Sequence, residues 1–209
     1  MVHYVSINWI GADGPGLYKT MPKHNTKVLA IDPGTREMGV ALLERFGVSG
    51  SSYPENGGKL VYHGVKVIPI EKSPNEKLKE GREIIHRLIR DYKPNVLVVE
   101  RSFFANNRTA SLLHVFINEI KAIGKRKGLK VISYAPSTVR KFITGNGRAS
   151  KKELSTVIVS KYPELKVYMS QDRAWKDQYH QNMFDAVALG LMALSPKLIV
   201  YGEMKRHNN

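Results

Sequence analysis

Two short apolar runs that each end on a carboxylate constrain the fold more than any other feature of this sequence. KVLAID occupies residues 27–32, and NVLVVE occupies residues 95–100. The second run is continuous and rich in valine, which is typical of a strand buried on both faces of a sheet. Because a buried carboxylate needs a partner, Asp32 and Glu100 mark either a turn and an ion pair at the strand ends or a site for a cation.

The other patterns predict strands followed by an alternation of strands and helices. Five strands are expected, at Lys27–Asp32, Gly39–Leu43, Lys59–Ile68, Asn95–Glu100 and Leu129–Tyr134. Five helices are expected, at Asn75–Tyr92, Thr109–Arg126 and Pro136–Ile143, from the capping box at Ser150 onward, and at Asp177–Leu194. Short turns between the first three strands indicate an antiparallel meander, and the later crossovers indicate parallel additions. The predicted fold is α/β, a mixed five-stranded sheet flanked by helices.

Charge and cysteine usage bound the function. The 209 residues hold 33 Lys and Arg against 18 Asp and Glu, so the net charge of +15 points to a polyanionic partner, with nucleic acid first. The lack of cysteine excludes disulfides, thiolate metal sites and cysteine nucleophiles. No apolar run has membrane-spanning length, and the first residues lack a signal-peptide pattern. We therefore expect a cytoplasmic protein with no membrane partner.

A third carboxylate lies in the last predicted helix, in the segment HQNMFDAVALGLMAL. The helix is largely apolar after Asp185, so this side chain needs either an arginine or a cation as its partner. Hard cations such as Mg²⁺ take oxygen ligands, and two of them about 4 Å apart can drive phosphodiester cleavage. Asp32, Glu100 and Asp185 are thus candidate metal ligands.

A basic loop forms the second candidate site. The segment RKFITGNGRASKK, residues 140–152, carries five cations and no acid. Its glycines, Gly145 and Gly147, let the backbone approach a phosphate, and such contacts give affinity and position without sequence readout. The alternative is an ordinary solvated charged face.

Four segments in order resemble the RuvC-type Holliday junction resolvases of the RNase H-like superfamily. They are LAIDPGTREMGVALLE, VLVVERSFFANNRTASLL, YAPSTVRKFITGNGRASKKEL and FDAVALGLMAL, and together they span about Val28 to Leu194. The resemblance implies an RNase H-like fold and a homodimer, with the first long helix pair, especially Thr109–Arg126, as the dimer surface. It also implies paired, symmetric nicks in four-way DNA junctions with Mg²⁺ or Mn²⁺, two ions per active site.

The resemblance assigns roles to individual residues. It makes Asp32, Glu100 and Asp185 the acidic ligands and places Lys151 beside the active site. The aromatic that wedges into the junction falls on Phe103, with Phe104 as a substitute, although both could simply pack on the core. The expected DNA-binding set is Phe103, Phe104, Arg108, Arg140, Lys141, Arg148, Lys151 and Lys152.

One position departs from the family pattern. The fourth metal-site residue, an Asp or His three positions before the last aspartate, is Asn182 here. A neutral amide oxygen can still bind a metal, so Asn182 is either tolerated, compensated by another group, or an inactivating Asp-to-Asn change. His180 is a poor replacement, because it lies about 140° around the helix axis from Asp185 unless the helix starts late.

The predicted organisation is an N-terminal extension at 1–26, a RuvC-like nuclease domain at 27–195 and a C-terminal tail at 196–209. A nucleoid-associated junction resolvase is the expected function. Two alternatives stay open: an RNase H-like nuclease for branched or flap DNA, and a non-catalytic junction-binding protein, which Asn182 favours.

Overall fold

The computed structural model describes residues 25–45, 58–101, 108–169 and 174–195. The five strands are β1 (Thr26–Asp32), β2 (Glu37–Arg45), β3 (Lys59–Val67), β4 (Val96–Glu100) and β5 (Lys130–Tyr134). The helices are α1 (Pro74–Tyr92), α2 (Arg108–Arg126), α3 (Pro136–Thr144), α4 (Lys151–Lys161) and α5 (Ala174–Leu194), and an unpredicted 3₁₀ helix occupies Pro163–Tyr168. The predicted elements are all present. The last helix begins at Ala174, so Asp177 lies inside it and does not start it.

The strands form one mixed sheet in the order β3-β2-β1-β4-β5. β1 and β2 pair antiparallel, as do β2 and β3, and these three strands are the predicted meander. β4 adds parallel to β1, and β5 adds parallel to β4. The predicted fold class is therefore confirmed.

Helices cover both faces of the sheet, as the apolar run of β4 predicted. Val28 and Val98 belong to a core under α3, α4 and α5, whereas Leu29 and Val99 belong to a second core under α1 and α2. Neighbouring residues of one strand point to opposite faces, so a continuous apolar run fills both cores. The central strands consequently have both faces buried, and only their ends are open to a substrate.

The outer parts of the predicted organisation stay predictions. The predicted C-terminal tail, 196–209, lies wholly outside the described residues. Of the predicted N-terminal extension, 1–26, the described residues include only 25 and 26. In the described part of the chain, no helix combines the length and the apolarity that crossing a membrane demands.

Candidate active site

The two strand-end carboxylates lie side by side at one edge of the sheet. β1 and β4 are parallel neighbours, and their register pairs Ile31 with Val99. Asp32 and Glu100 are the next residues on the two strands, and both are partly exposed. Since parallel neighbouring strands end at the same edge of a sheet, these two acids lie at one edge.

Helix α5 brings the third carboxylate to the same edge, and a glycine makes this possible. Gly39 of β2 is the cross-strand partner of Asp32. A Cβ atom on Gly39 would lie only 1.8 Å from the backbone oxygen of Asn182, so the helix backbone rests directly on the strand at this point. Asp185 follows Asn182 by three residues and therefore lies on the same helix face.

Burial raises the pKa values of all three carboxyls, and neighbouring carboxylates raise those of Asp32 and Glu100 further. Burial, together with the charges of Glu100 and Asp185, raises the pKa of Asp32 well above its ordinary value. Burial and the charge of Asp185 raise the pKa of Glu100 to about 7. Burial also raises the pKa of Asp185, against the lowering effect of a hydrogen bond from Gln181. We call Asp32, Glu100 and Asp185 the carboxylate triad.

Among the described residues, no direct ion pair neutralises a member of the carboxylate triad. Two cations act on it from farther away: Lys151 lowers the pKa of all three acids, and Arg140 lowers the pKa of Glu100 and Asp185. Like charges held together in a desolvated place favour either protons or a bound cation.

The donor set fits a hard divalent cation. Three carboxylates and the amide oxygen of Asn182 are the oxygen ligands that Mg²⁺ and Mn²⁺ accept. No three His, Cys, Asp or Glu side chains in the described ranges form a preassembled metal cage. The oxygen donors for such an ion are thus present at this edge of the sheet.

Helix α4 positions the lysine of the site. Ser150 caps the helix, because its side chain accepts a hydrogen bond from the backbone N–H of Glu153 while the Glu153 carboxylate accepts one from the N–H of Ser150. The predicted capping box is thus present. Lys151, the first residue of α4, is exposed and yet acts electrostatically on the whole carboxylate triad.

Two cations of the predicted basic loop, Arg140 and Lys151, act on the carboxylate triad. We call five cations of α3, the following loop and the start of α4 the basic rim: Arg140, Lys141, Arg148, Lys151 and Lys152. Arg140 is half-buried and the other four are exposed. Gly145 ends α3 with a φ of 79°, a left-handed conformation that glycine adopts without strain. None of the ion pairs among the described residues includes a rim cation.

Sequence reasoning missed Gln181 and Ser155. The Gln181 amide nitrogen donates a hydrogen bond to Asp185 Oδ1 at 3.2 Å, and the Ser155 hydroxyl lies 3.4 Å from Gln181 Oε1. The only available signal was the spacing of four residues between Gln181 and Asp185, which places both on one helix face. That spacing does not indicate that Ser155 of helix α4 contacts Gln181.

His180 does not take the place of an acidic ligand. His180 lies in an aromatic cluster, with its ring centroid 4.8 Å from that of Tyr168 and 5.1 Å from that of Tyr179. Because α5 begins six residues before His180, the late start that would let it replace an acid does not occur. Phe103 and Phe104 lie outside the described residues, and so does the side chain of Arg108.

Known proteins are similar to this chain in sequence and in fold. The family model "Crossover junction endodeoxyribonuclease RuvC" matches residues 28–174. Proteins of that name from Fusobacterium nucleatum and Corynebacterium efficiens are 29% and 30% identical over 133 and 144 residues, which cover 63% and 66% of this chain. The matched segments span 66% and 59% of those relatives' own lengths, less than two thirds in each case.

Solved structures agree in fold. The structure of Thermus thermophilus RuvC superposes with a TM-score of 0.62 at 19% identity, covering 83% of this chain and 96% of that one. The yeast mitochondrial Holliday junction resolvase Ydc2 gives a TM-score of 0.57 at 13% identity, covering 81% and 78%. The sheet and its acidic edge define an α/β protein of the RNase H-like class. The chain belongs to the RuvC family of crossover junction endodeoxyribonucleases.

Proposed function

We propose that this protein is a structure-specific endonuclease that resolves four-way DNA junctions by paired, symmetric, metal-dependent nicks. Its curated relatives are named crossover junction endodeoxyribonucleases, and T. thermophilus RuvC is known in complex with a Holliday junction substrate. The observation that carries the proposal is the carboxylate triad beside a rim of cations. In it the charges of Glu100 and Asp185 raise the pKa of Asp32, and the charge of Asp185 raises the pKa of Glu100. A polyanion and divalent cations are the ligands that such an edge accepts together.

The carboxylate triad would hold Mg²⁺ or Mn²⁺, two ions per site. Asp32 ends strand β1, Glu100 ends the neighbouring strand β4, and Asp185 comes from helix α5. Asn182 would add a neutral amide oxygen. Such ions supply Lewis acidity toward the scissile phosphate and activate the attacking water.

The protein's own charges would place and prepare the DNA. The exposed cations of the basic rim bind phosphates and orient the strand over the acidic edge. Lys151 lowers the pKa of all three acids, so its charge would offset the negative charge that a phosphodiester brings into the site. Glu100 must be ionised to serve as a ligand, and its pKa of about 7 makes this depend on pH in the physiological range.

A homodimer is the assembly that fits this reaction. Two equivalent sites related by a two-fold axis match two equivalent strands of a four-way junction. Helix α2 would form the dimer surface, and Val115 on it exposes 41% of its area. A DNA substrate also implies a nucleoid-associated cytoplasmic location.

The test is nicking of a labelled four-way junction in Mg²⁺ and in Mn²⁺, with this chain and Asn182→Asp compared side by side. Nicks by both at paired symmetric positions make Asn182 a tolerated ligand. Nicks by the Asp form alone show that this chain holds its substrate without cutting it. Binding by both without nicking refutes the enzyme and leaves a junction-binding protein.

Two matched variants and a substrate survey sharpen the test. Glu100→Gln removes one triad charge, and Glu71→Gln makes the same change at an exposed position outside the site. We expect nicking to be lost only in the first. Flap and branched substrates cut as fast as the four-way junction would favour the alternative nuclease function.

A further inference from the structure

Two buried polar side chains link helix α4 to helix α5 next to the site. Gln181 and Ser155 each expose only 6% of their area, in a region otherwise filled by apolar side chains. Buried amides and hydroxyls are retained where they are hydrogen-bonded. Ser155 and Gln181 are hydrogen-bonded to each other, and Gln181 is hydrogen-bonded to Asp185 of the carboxylate triad.

The chemistry of the acceptors fixes the direction of this chain of bonds. An ionised carboxylate only accepts, so the Gln181 amide must turn its NH₂ group to Asp185 Oδ1, where the distance is 3.2 Å. Gln181 Oε1 then lies 3.4 Å from the Ser155 hydroxyl, whose single proton is shared between this oxygen and the backbone oxygen of Lys151 at 3.0 Å. Ser155 thus donates to Gln181, and Gln181 donates to Asp185.

We propose that Ser155 and Gln181 are positioning residues that hold Asp185 in the orientation in which it binds the metal. This rests on the proposed function. The hydrogen bond from the Gln181 amide to Oδ1 restrains the rotation of the Asp185 carboxylate, which would serve as the ligand. Hydrogen bonds from outside the ligand shell orient ligands in this way at many metal sites.

The same turn of α4 also carries the lysine of the site. The Ser155 hydroxyl lies 3.0 Å from the backbone oxygen of Lys151, and the Lys151 charge acts on the whole carboxylate triad. Ser155 therefore connects the turn that holds Lys151 to Gln181, and through Gln181 to Asp185.

The test measures Mn²⁺ binding by electron paramagnetic resonance without DNA, and then the Mn²⁺ concentration that gives half-maximal junction nicking. Gln181→Met keeps the length of the side chain and removes its polar groups. We expect it to weaken Mn²⁺ binding about tenfold, in line with the loss of other hydrogen bonds to metal ligands. Nicking at saturating Mn²⁺ should recover most of its rate, because the triad itself is intact.

Helix α4 supplies a matched pair for the second link. Ser155 and Thr156 each have a hydroxyl next to the carbonyl four residues earlier, but Thr156 is exposed and only Ser155 reaches Gln181. Ser155→Ala should weaken Mn²⁺ binding about threefold, and Thr156→Ala should leave it unchanged. If Gln181→Met fails to fold, this pair still decides the question.

A double variant separates positioning from general damage to the fold. Residues that act through one another are not additive, so Ser155→Ala should have no further effect on Mn²⁺ binding in the Gln181→Met background. Additive losses, or unchanged binding in Gln181→Met, would overturn the inference while the resolvase proposal stands. If the unaltered chain shows neither nicking nor Mn²⁺ binding that Asp185→Asn abolishes, the proposed function fails and the inference falls with it.

Discussion

Replacing Gly39 by alanine should disable the site by moving one helix. The added Cβ would lie 1.8 Å from the backbone oxygen of Asn182, 2.4 Å from its carbonyl carbon and 3.1 Å from the nitrogen of Met183. All three atoms belong to the backbone of α5, so no side-chain rotation relieves the contact. The helix must move away from the strand at the point where it carries Asn182 and, one turn later, Asp185.

The size of the movement follows from the contact distance. Real Cβ contacts stay above 3.0 Å, so the Asn182 carbonyl has to retreat by about 1.2 Å. Overpacking of this kind costs about 1–3 kcal/mol of stability. A displacement of about 1 Å in a catalytic group costs about 100-fold in rate. We therefore expect Gly39→Ala to fold, to lose about 2 kcal/mol and to nick junctions about 100-fold more slowly.

Gly190→Ala is the matched control, because Gly190 lies on helix α5, the helix that Gly39 contacts. Its Cβ would lie 2.3 Å from Leu43 Cδ1, the end of a flexible side chain, and 3.3 Å from the Ala30 Cβ. Urea unfolding and junction nicking of both variants, in Mn²⁺ at equal protein concentration, separate stability from site geometry. We expect similar stability losses but a large rate loss only for Gly39→Ala. Equal rates in the two variants would refute the idea that Gly39 sets the position of Asp185.

Further predictions concern charge, the predicted wedge and assembly. The folded protein binds the Glu100 proton more tightly than the unfolded chain does, because folding raises the pKa of Glu100 from 4.5 to about 7. Without metal, the free energy of unfolding should therefore fall as the pH rises from 4.5 to about 7. Glu100→Gln should flatten that slope in urea titrations with EDTA, and an unchanged slope contradicts the electrostatic account. If the dimer engages on the order of ten phosphates, junction affinity should drop steeply between 50 and 200 mM salt, roughly 10³-fold or more, and a flat response rules out the basic rim as the DNA contact. Replacing Phe103 and Phe104 together by alanine should slow nicking more than it weakens gel-shift binding, and unchanged nicking rejects the wedge. Val115→Asp should shift sedimentation toward the monomer; an unaltered dimer removes α2 from the interface.

The local patterns predicted the elements because each depends on residues close in sequence. The valine-rich run of β4 and the capping box at Ser150 gave strand and helix without knowledge of the fold. The 3₁₀ helix at Pro163–Tyr168 was missed, and the start of α5 was placed three residues late. Short helices and helix ends have the weakest periodicity, since few residues contribute to it.

The sequence by itself determined which acids are unusual: Asp32 and Glu100 end apolar strands, and Asp185 interrupts an apolar helix. Asp32 and Glu100 lie at one edge only if β1 and β4 are neighbouring strands, and the order of strands in the sheet decides whether they are. The tertiary structure also decided how deep α5 sits, through the missing side chain of Gly39, and which buried amide holds Asp185. These contacts join β2 to α5 and α4 to α5, far apart in the chain. Local patterns carry no record of such contacts, because packing selects them only after the elements exist.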